Sequence, residues 1–517
     1  MNLRINLPIL GLLIHASASA AVSPWYGFYG GTSRDGAYSL QQTADRGLII
    51  FGYTYSFGVG SADAMLIRTD SLGNHVWVKT FGGPNPDFGK YVRQVSGGGY
   101  VILGETFLSG NFDLFLARTD TGGNILWAKT FGGSNNEYAS SVQQTGGGGF
   151  VVVSNTQSFG AGQTDVLLIK TDGNGNLQWA KTYGGTLDDS ARAMVQTSDG
   201  GYIITGTTNS FGTGTYDIFL IKTDSSGNPL WARVYDGPAD DVASSVIEVM
   251  GKDIVVAGHT RSFGAGLHDF LLLKTDSLGN LRWVKTYGGS NEDWAYSVYE
   301  AYDHGYIIAG STESFGAGLK DFLMIKTNLD GILQWAKTYG GTNEDEPFQV
   351  QQTSDTGFVL AGYTQSFGAG LLDFMVVKTD TGGNVSTCPV GNPIPTEISQ
   401  YMVVSAISPF ITSLSLGSNV SPGITNPTII TGGCPTTSIS EGCLSNKNTI
   451  SLGKGYITVT QPGEFEVKIY DIKGKVVKRV GSSNSLKIHL QSGIYFVEVL
   501  TEKAKVINKV IISHSAL

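Results

Sequence analysis

Seven tryptophans, Trp25, Trp77, Trp127, Trp179, Trp231, Trp283 and Trp335, recur at spacings of 52, 50, 52, 52, 52 and 52 residues. A fixed period of this length restricts the chain to a repeat architecture. One template surrounds each tryptophan, cleanest from Trp283 as WVKTYGGSNEDWAYSVYEAYDHGYIIAGSTESFGAGLKDFLMIKTNLDG, and only Trp294 falls outside the register. Each unit reads as four short strands. Strand A, as in SSVQQT (140–145), leads through a glycine-rich turn to strand B, as in GYIITGTT (201–208). An SFGAG-type loop then precedes strand C, DFLLLKTD (269–276), and the turn TDSLGN (275–280) leads into strand D, LRWVKTYGG (281–289). Gly-Asn in that turn tolerates the positive φ of a tight hairpin. Four short strands per unit with glycine at the corners predict a propeller blade.

The ends of the array give the count. The first unit opens with a lone D-type segment, WYGFYGG (25–31), while the last has A (347–353), B (357–364) and C (373–380) but no tryptophan strand. One spare strand completes one deficient blade, which closes the ring and removes the open sheet edge. The sequence therefore predicts an all-β chain, a seven-bladed β-propeller followed by a small β-domain. A β-helix is the rival, but its coils are usually shorter than this period. The expected divisions are a signal peptide at 1–20, the propeller at 21–386, a linker or small strand-pairing region at 387–445, and a C-terminal β-domain at 446–517.

Composition bears on partners. Glycine, at 71 residues, is about twice its usual ~7% share, as corner-rich strands require. The net charge of −9 comprises +6 for residues 446–517, −14 for the repeats, −2 for residues 387–445 and +1 for the N-terminal stretch. An acidic body excludes a nucleic-acid partner, whose phosphates need a basic face, and is compatible with cations. At the N-terminus, Arg4, the apolar INLPILGLLI and ASASA read as a secretory signal peptide cleaved between Ala20 and Ala21. No window of eighteen apolar residues predicts a transmembrane helix. The three cysteines, Cys388, Cys434 and Cys443, lie outside the repeats, so one disulfide and one free thiol are expected with the pairing open.

The run W-x-K-T-[FY]-G-G, then GG-[YF]-I-I-x-G-x-T, then D-x-x-x-x-K-T-D-x-x-G-N resembles the bacterial β-propeller repeat family (SBBP) over about residues 22–386. That resemblance implies a propeller and no particular activity. The tail resembles the C-terminal sorting domain of the type IX secretion system, through Ile469-Tyr470-Asp471, Gly474, Gly493-Ile494-Tyr495-Phe496 and Lys509-Val510-Ile511. The Asn-Pro opening usual in that family is not found near 446, and a plain β-sandwich stalk is the alternative. The resemblance implies a small immunoglobulin-like β-sandwich after the all-β seven-bladed propeller, the type IX machinery as partner and a secreted or outer-cell-surface location.

Ten residues after each tryptophan stands an acid: Asp35, Asp87, Glu137, Asp189, Asp241, Asp293 and Asp345. Seven carboxylates near a channel mouth are candidate ligands for Ca²⁺. A turn in which each accepts backbone N–H bonds accounts for them equally, and sevenfold recurrence favours that reading, since a structural need recurs per blade and a metal needs one cluster. A second acid opens each strand C. The positions that vary between blades form the candidate binding face: Tyr53, Glu105, Asn155, Thr207, His259, Ser311 and Tyr363 at the end of strand B, with Arg261 two residues on. His259, His268 and His304 occupy three different repeat positions and read as surface histidines. With no nucleophile elbow, zinc-protease or Walker motif, the expectation is a monomeric, exported binding or display protein rather than an enzyme. A glycan or protein ligand is expected. The alternative is an exported propeller enzyme acting on glycans or using a quinone, since D-x-x-G-N-x-x-W loosely resembles the tryptophan-docking repeat of quinoproteins.

Overall fold

The computed structural model describes residues 24–385 apart from 109 and 214, and beyond them the strands between 390 and 512. The signal peptide at 1–20 and the three cysteines lie outside the described residues. The repeats form seven antiparallel four-stranded blades. Blade one comprises Asp35–Gln42, Leu48–Thr54, Asp63–Thr69 and His75–Gly82, as strands A to D. Blade seven takes A to C from Asp345–Gln352, Phe358–Thr364 and Asp373–Lys378, and D from Trp25–Gly30 near the start of the chain. Trp25 pairs with Lys378 and Tyr29 with Phe374, the register in which Trp77 and Phe81 pair with Arg68 and Ala64.

Strands B and C alternate apolar residues on both faces because each blade is sandwiched between two others, and the core lies in those interfaces. Tyr29, Leu40, Ile50 and Met65 pack with Val359, Phe374 and Val376 across the seam between blades seven and one. The tryptophans add to the same interfaces. Gly227, in the C-to-D turn of blade four, has φ 75°, which favours glycine. A Cβ there would stand 2.7 Å from the Trp179 ring of blade three. The Tyr183 hydroxyl donates to the Gly227 carbonyl at 2.6 Å, and Tyr29, Tyr235, Tyr287 and Tyr339 repeat the contact on Gly73, Gly279, Gly331 and Gly383.

The stretch read as a linker or strand-pairing region carries seven short strands, each pairing antiparallel with the D strand of a different blade. Val390–Gly391 lies on blade six, Thr396–Gln400 on five, Val403–Ala406 on four and Phe410–Leu414 on three. Ser418–Asn419 lies on blade two, Gly423–Thr425 on one, and Ile430–Gly432 on Trp25–Gly30 of blade seven. The chain thus circles the ring against the order of its blades and gives every sheet a fifth strand. These segments carry almost no charge, and Pro393, Pro395, Pro409, Pro422 and Pro427 fall between the strands, where a missing N–H breaks no ladder.

In the tail, Thr449–Gly453, Tyr456–Asp471, Val476–His489, Gly493–Leu500 and Lys505–Ile512 are hydrogen-bonded into one antiparallel sheet. Among the described residues no helix is long and apolar enough to cross a membrane.

Candidate functional site: the channel neck

Strand A of every blade carries a β-bulge at the same place. The extra residues are Tyr38, Lys90, Ser140, Arg192, Ser244, Tyr296 and Phe348, each skipped by the A–B ladder. A bulge re-aims the side chain it carries, and all seven line the central cavity of about 1140 Å³. Their chemistry is lopsided. Tyr296, Phe348 and Tyr38, on blades six, seven and one, form a continuous aromatic arc with ring centroids 5.3 and 5.0 Å apart. Lys90 on blade two flanks the arc beside Tyr38, and Arg192 on blade four stands across from it, with Ser140 between them in blade order.

Lys90 has partners, with Nζ 3.6 Å from Glu105 and 4.6 Å from the Tyr38 ring centre. Arg192 has no hydrogen bond or ion pair among the described residues. It is open to channel water, yet burial within the neck holds its guanidinium below the ordinary value, with the neighbouring Tyr296 opposing. The next inward-facing positions, Gln41, Arg93, Gln143, Val195, Ile247, Tyr299 and Gln351, add a third cation, stacked 4.3 Å over the Tyr91 ring. These two rings contain no carboxylate, although the propeller around them is strongly acidic. The two rings therefore bring three cations to one cavity, where an anion interacts more strongly than in bulk water.

The strand-B residues expected to form an open binding face lie mostly behind this wall. Glu105, Asn155, Thr207 and Ser311 are buried. Asn155 accepts from the Ala191 N–H of the next blade at 2.6 Å and donates to its carbonyl at 3.1 Å. Glu105 accepts from the Ala139 N–H at 3.0 Å. Tyr363 donates to Glu346 at 2.6 Å, Ser311 approaches the same carboxylate at 3.4 Å, and Tyr296 donates to it at 2.5 Å. Tyr53 packs on Tyr38 at 5.5 Å. Thr207 and His259 reach the cavity, while Arg261 stays exposed on the loop. Glu105, Asn155 and Ser311 thus reach the next blade, whereas Tyr363 bonds Glu346 within its own. The bulge position itself escaped the sequence reading, although its signal is present: thirteen residues after each tryptophan the side chain changes class from blade to blade.

The acids that follow each tryptophan serve their own corners. Asp189 accepts from the Gly185 N–H at 2.6 Å and the Ser210 hydroxyl at 2.7 Å, and Asp293 from Gly289 at 2.8 Å and Ser314 at 2.7 Å. Asp35, Asp241 and Asp345 take the matching serine and threonine hydroxyls. Asp87 accepts from Gly83 at 2.8 Å, and Glu137 from Gly133 at 3.1 Å and Thr156 at 2.8 Å. The structure does not bring these seven carboxylates together, and no group of three metal-ligating side chains occurs among the described residues. The strand-C acids cap the SFGAG loops, as where Asp321 accepts from Ala317 at 2.9 Å and Gly318 at 3.1 Å.

Two of the three histidines read as surface residues meet at the channel rim. His259 is stacked on Trp294 at 5.2 Å and lies edge-on to His268 at 5.3 Å. Burial drives its pKa down to about 3, and its Nδ1 has no partner among the described residues. His268 Nδ1 bonds the Glu292 carboxylate, which also accepts from Trp294 Nε1 at 2.9 Å. Trp294, the residue outside the tryptophan register, is the wall of this cluster.

Comparison with known proteins bears chiefly on the tail. Residues 453–513 match the family described as secretion system C-terminal sorting domain. The chain is thus a seven-bladed propeller carrying a type IX sorting domain, which places it outside the cell or on its outer surface. It is also similar to the regulatory protein FlaEY of Caulobacter vibrioides, 24% identical over 234 residues. That match takes in 40% of this chain and 24% of the relative, so the chain spans about a quarter of the relative's length.

Proposed function

We propose that the chain is an exported surface-binding protein whose propeller holds a small anionic ring compound, such as an acidic sugar, in the channel neck, without turnover. The observation that carries this reading is the division of the bulge ring into an aromatic arc and an opposed, uncompensated Arg192. An apolar ring face stacks on the arc, and a carboxylate meets the guanidinium in a bidentate pair. The tail binds the secretion machinery and, as an immunoglobulin-like sandwich, presents the propeller outside. In support, Tyr456–Asp471 pairs with Thr449–Gly453 through its first half and with Gly493–Leu500 through its second, the halves being divided by an irregularity between Gln461 and Glu464. On this reading residues 1–20 are a cleaved signal peptide, the repeats belong with the SBBP-type propellers, and the protein is a monomer.

The test is calorimetric titration of the secreted protein with glucuronate, glucose and benzoate. Glucuronate is expected to bind, glucose not to bind measurably, and Arg192→Gln to weaken binding at least tenfold. Equal binding of glucose and glucuronate, or indifference to Arg192→Gln, contradicts the assignment. The His268–Glu292 pair favours one second reading, a propeller enzyme acting on glycans with His268 as base. Release of reducing ends from a glycan panel, lost in His268→Ala, would establish it.

A further inference from the structure

In six blades the loop between strands B and C contains Ser-Phe-Gly: Ser56-Phe57, Ser158-Phe159, Ser210-Phe211, Ser262-Phe263, Ser314-Phe315 and Ser366-Phe367. The phenyl ring lies against the second glycine of the D-to-A corner. A Cβ on Gly31, Gly133, Gly185, Gly289 or Gly341 would stand 2.8–3.1 Å from the corresponding ring. In blades one, four, five, six and seven the serine hydroxyl also donates to the strand-A acid, at 2.6–2.9 Å.

Blade two lacks this Ser-Phe-Gly run, its loop reading Phe107-Leu108-Ser109-Gly110. Its B and C strands, Tyr100–Leu108 and Asn111–Thr119, run on into a tight hairpin two residues shorter than the other loops, which is why Trp77 and Trp127 are 50 apart. The place stays open. A Cβ on Gly83 meets nothing within 4 Å, and a cavity of about 210 Å³ lined by Phe81, Pro84, Ile102, Phe107 and Phe115 occupies the position. An apolar cavity of ~150 Å³ already admits benzene. Asp87, on the same wall, accepts from the Gly83 N–H at 2.8 Å and from Thr106, and among the described residues no serine hydroxyl reaches it as Ser56 and Ser210 reach Asp35 and Asp189.

We infer that blade two is a docking site for a partner polypeptide presenting a Ser-Phe tip, its phenyl ring in the vacant slot and its hydroxyl on Asp87. The chain's own loops identify the occupant, since they seat that dipeptide in the equivalent slots. The site lies apart from the channel and stands whether or not the channel ligand is correctly assigned.

The experiment titrates the full-length secreted protein with the blocked peptide Ser-Phe-Gly-Ala-Gly and its Ser-Ala-Gly-Ala-Gly counterpart, following aromatic resonances by NMR. The Phe peptide is expected to bind and to shift the Phe107 and Phe115 rings, and the Ala peptide to bind at least tenfold more weakly. Gly83→Phe, which fills the slot from within, should abolish binding while holding or raising the melting temperature. Asp87→Asn should weaken binding severalfold with the protein still folded. Equal binding of the two peptides, no binding at millimolar peptide, binding undiminished in Gly83→Phe, or binding of phenethylamine in place of the peptide each overturns the inference. Glucuronate titration of the same sample reports on the channel separately.

Discussion

Trp25 lies opposite Lys378 across the seam of the ring, in the register that places Trp77 opposite Arg68 within blade one. The join is therefore an ordinary C–D pair made from distant parts of the chain, and its outer edge is covered in turn by Ile430–Gly432. Deleting residues 21–31 exposes the edge of Asp373–Lys378 and removes Tyr29 from the seam core. A sharp fall in melting temperature, or aggregation, is expected in thermal unfolding followed by circular dichroism. An unchanged melting temperature contradicts closure.

Asp189 tests the corner acids. Replacing it by Asn keeps the shape and leaves weaker acceptors for Gly185 and Ser210. The expected cost is about 1 kcal/mol in denaturant unfolding. Chelation by EDTA should leave the melting temperature where it was. A large Ca²⁺-dependent rise would instead reveal a ligand bound to the folded state.

Much of the propeller was legible because each local signal repeats: tryptophan register, Gly-Asn turns and corner acids all describe the same unit. The functional side chains were harder to find for a physical reason. Which residue of strand A faces the channel depends on a bulge, and a one-residue bulge is set by pairing between strands rather than by the pattern of either one. Reading the variable ends of strand B as an open face placed Asn155 and Glu105 outside, whereas they bridge to the next blade. The strands at 390–432 were obscured differently. Each is two to five residues long and pairs with a D strand from about 50 to about 400 residues away in sequence, so no local periodicity announces it.

Asn155 holds both main-chain groups of Ala191, directly beside Arg192. Asn155→Ala leaves the buried Ala191 N–H without its acceptor, while the carbonyl keeps the Ser140 hydroxyl at 2.9 Å, at a cost of about 1–3 kcal/mol. Because the same contact holds the backbone next to Arg192, ligand affinity in the channel should fall as well. Calorimetry alongside unfolding separates this from a purely structural loss, which would leave affinity intact in the folded fraction.

Burial raises Asp165, Asp241, Asp269, Asp321 and Asp373 from 3.8 to about 6. A second acid adds to this in each case, as Asp345 does for Asp321. With native values above the unfolded ones, the fold binds more protons between pH 3.8 and about 6, so stability falls as pH rises through that window. The contribution is complete below the window and gone above it. Opposite in sign, hydrogen bonds from Asn124 and Asn176 hold Asp120 and Asp172 below the usual range, so what they add is lost only in stronger acid. The melting temperature is expected to be higher at pH 5 than at pH 7.5, with a smaller difference in Asp321→Asn. A flat or rising profile between those values contradicts it.

The strands at 390–432 and the sorting domain at 453–513 make separable demands on the C-terminal part of the chain. Removing residues 446–517 takes away the tail sheet and leaves all seven outer strands, so the propeller should fold with its melting temperature unchanged. The truncated protein should nevertheless stay in the periplasm of the producing cell, because what it has lost is the export signal. Fusing 446–517 behind an unrelated reporter should carry that reporter outside. Ending the chain at 386 is the informative contrast, since every D strand then becomes an open edge and Trp25–Gly30 loses its outer partner. That shorter protein should melt lower and aggregate more readily than the one ending at 445. Equal stability of the two would mean that the outer strands add nothing to the ring. Surface arrival of the 446–517 deletion, together with retention of the reporter fusion, would show that export does not depend on the tail.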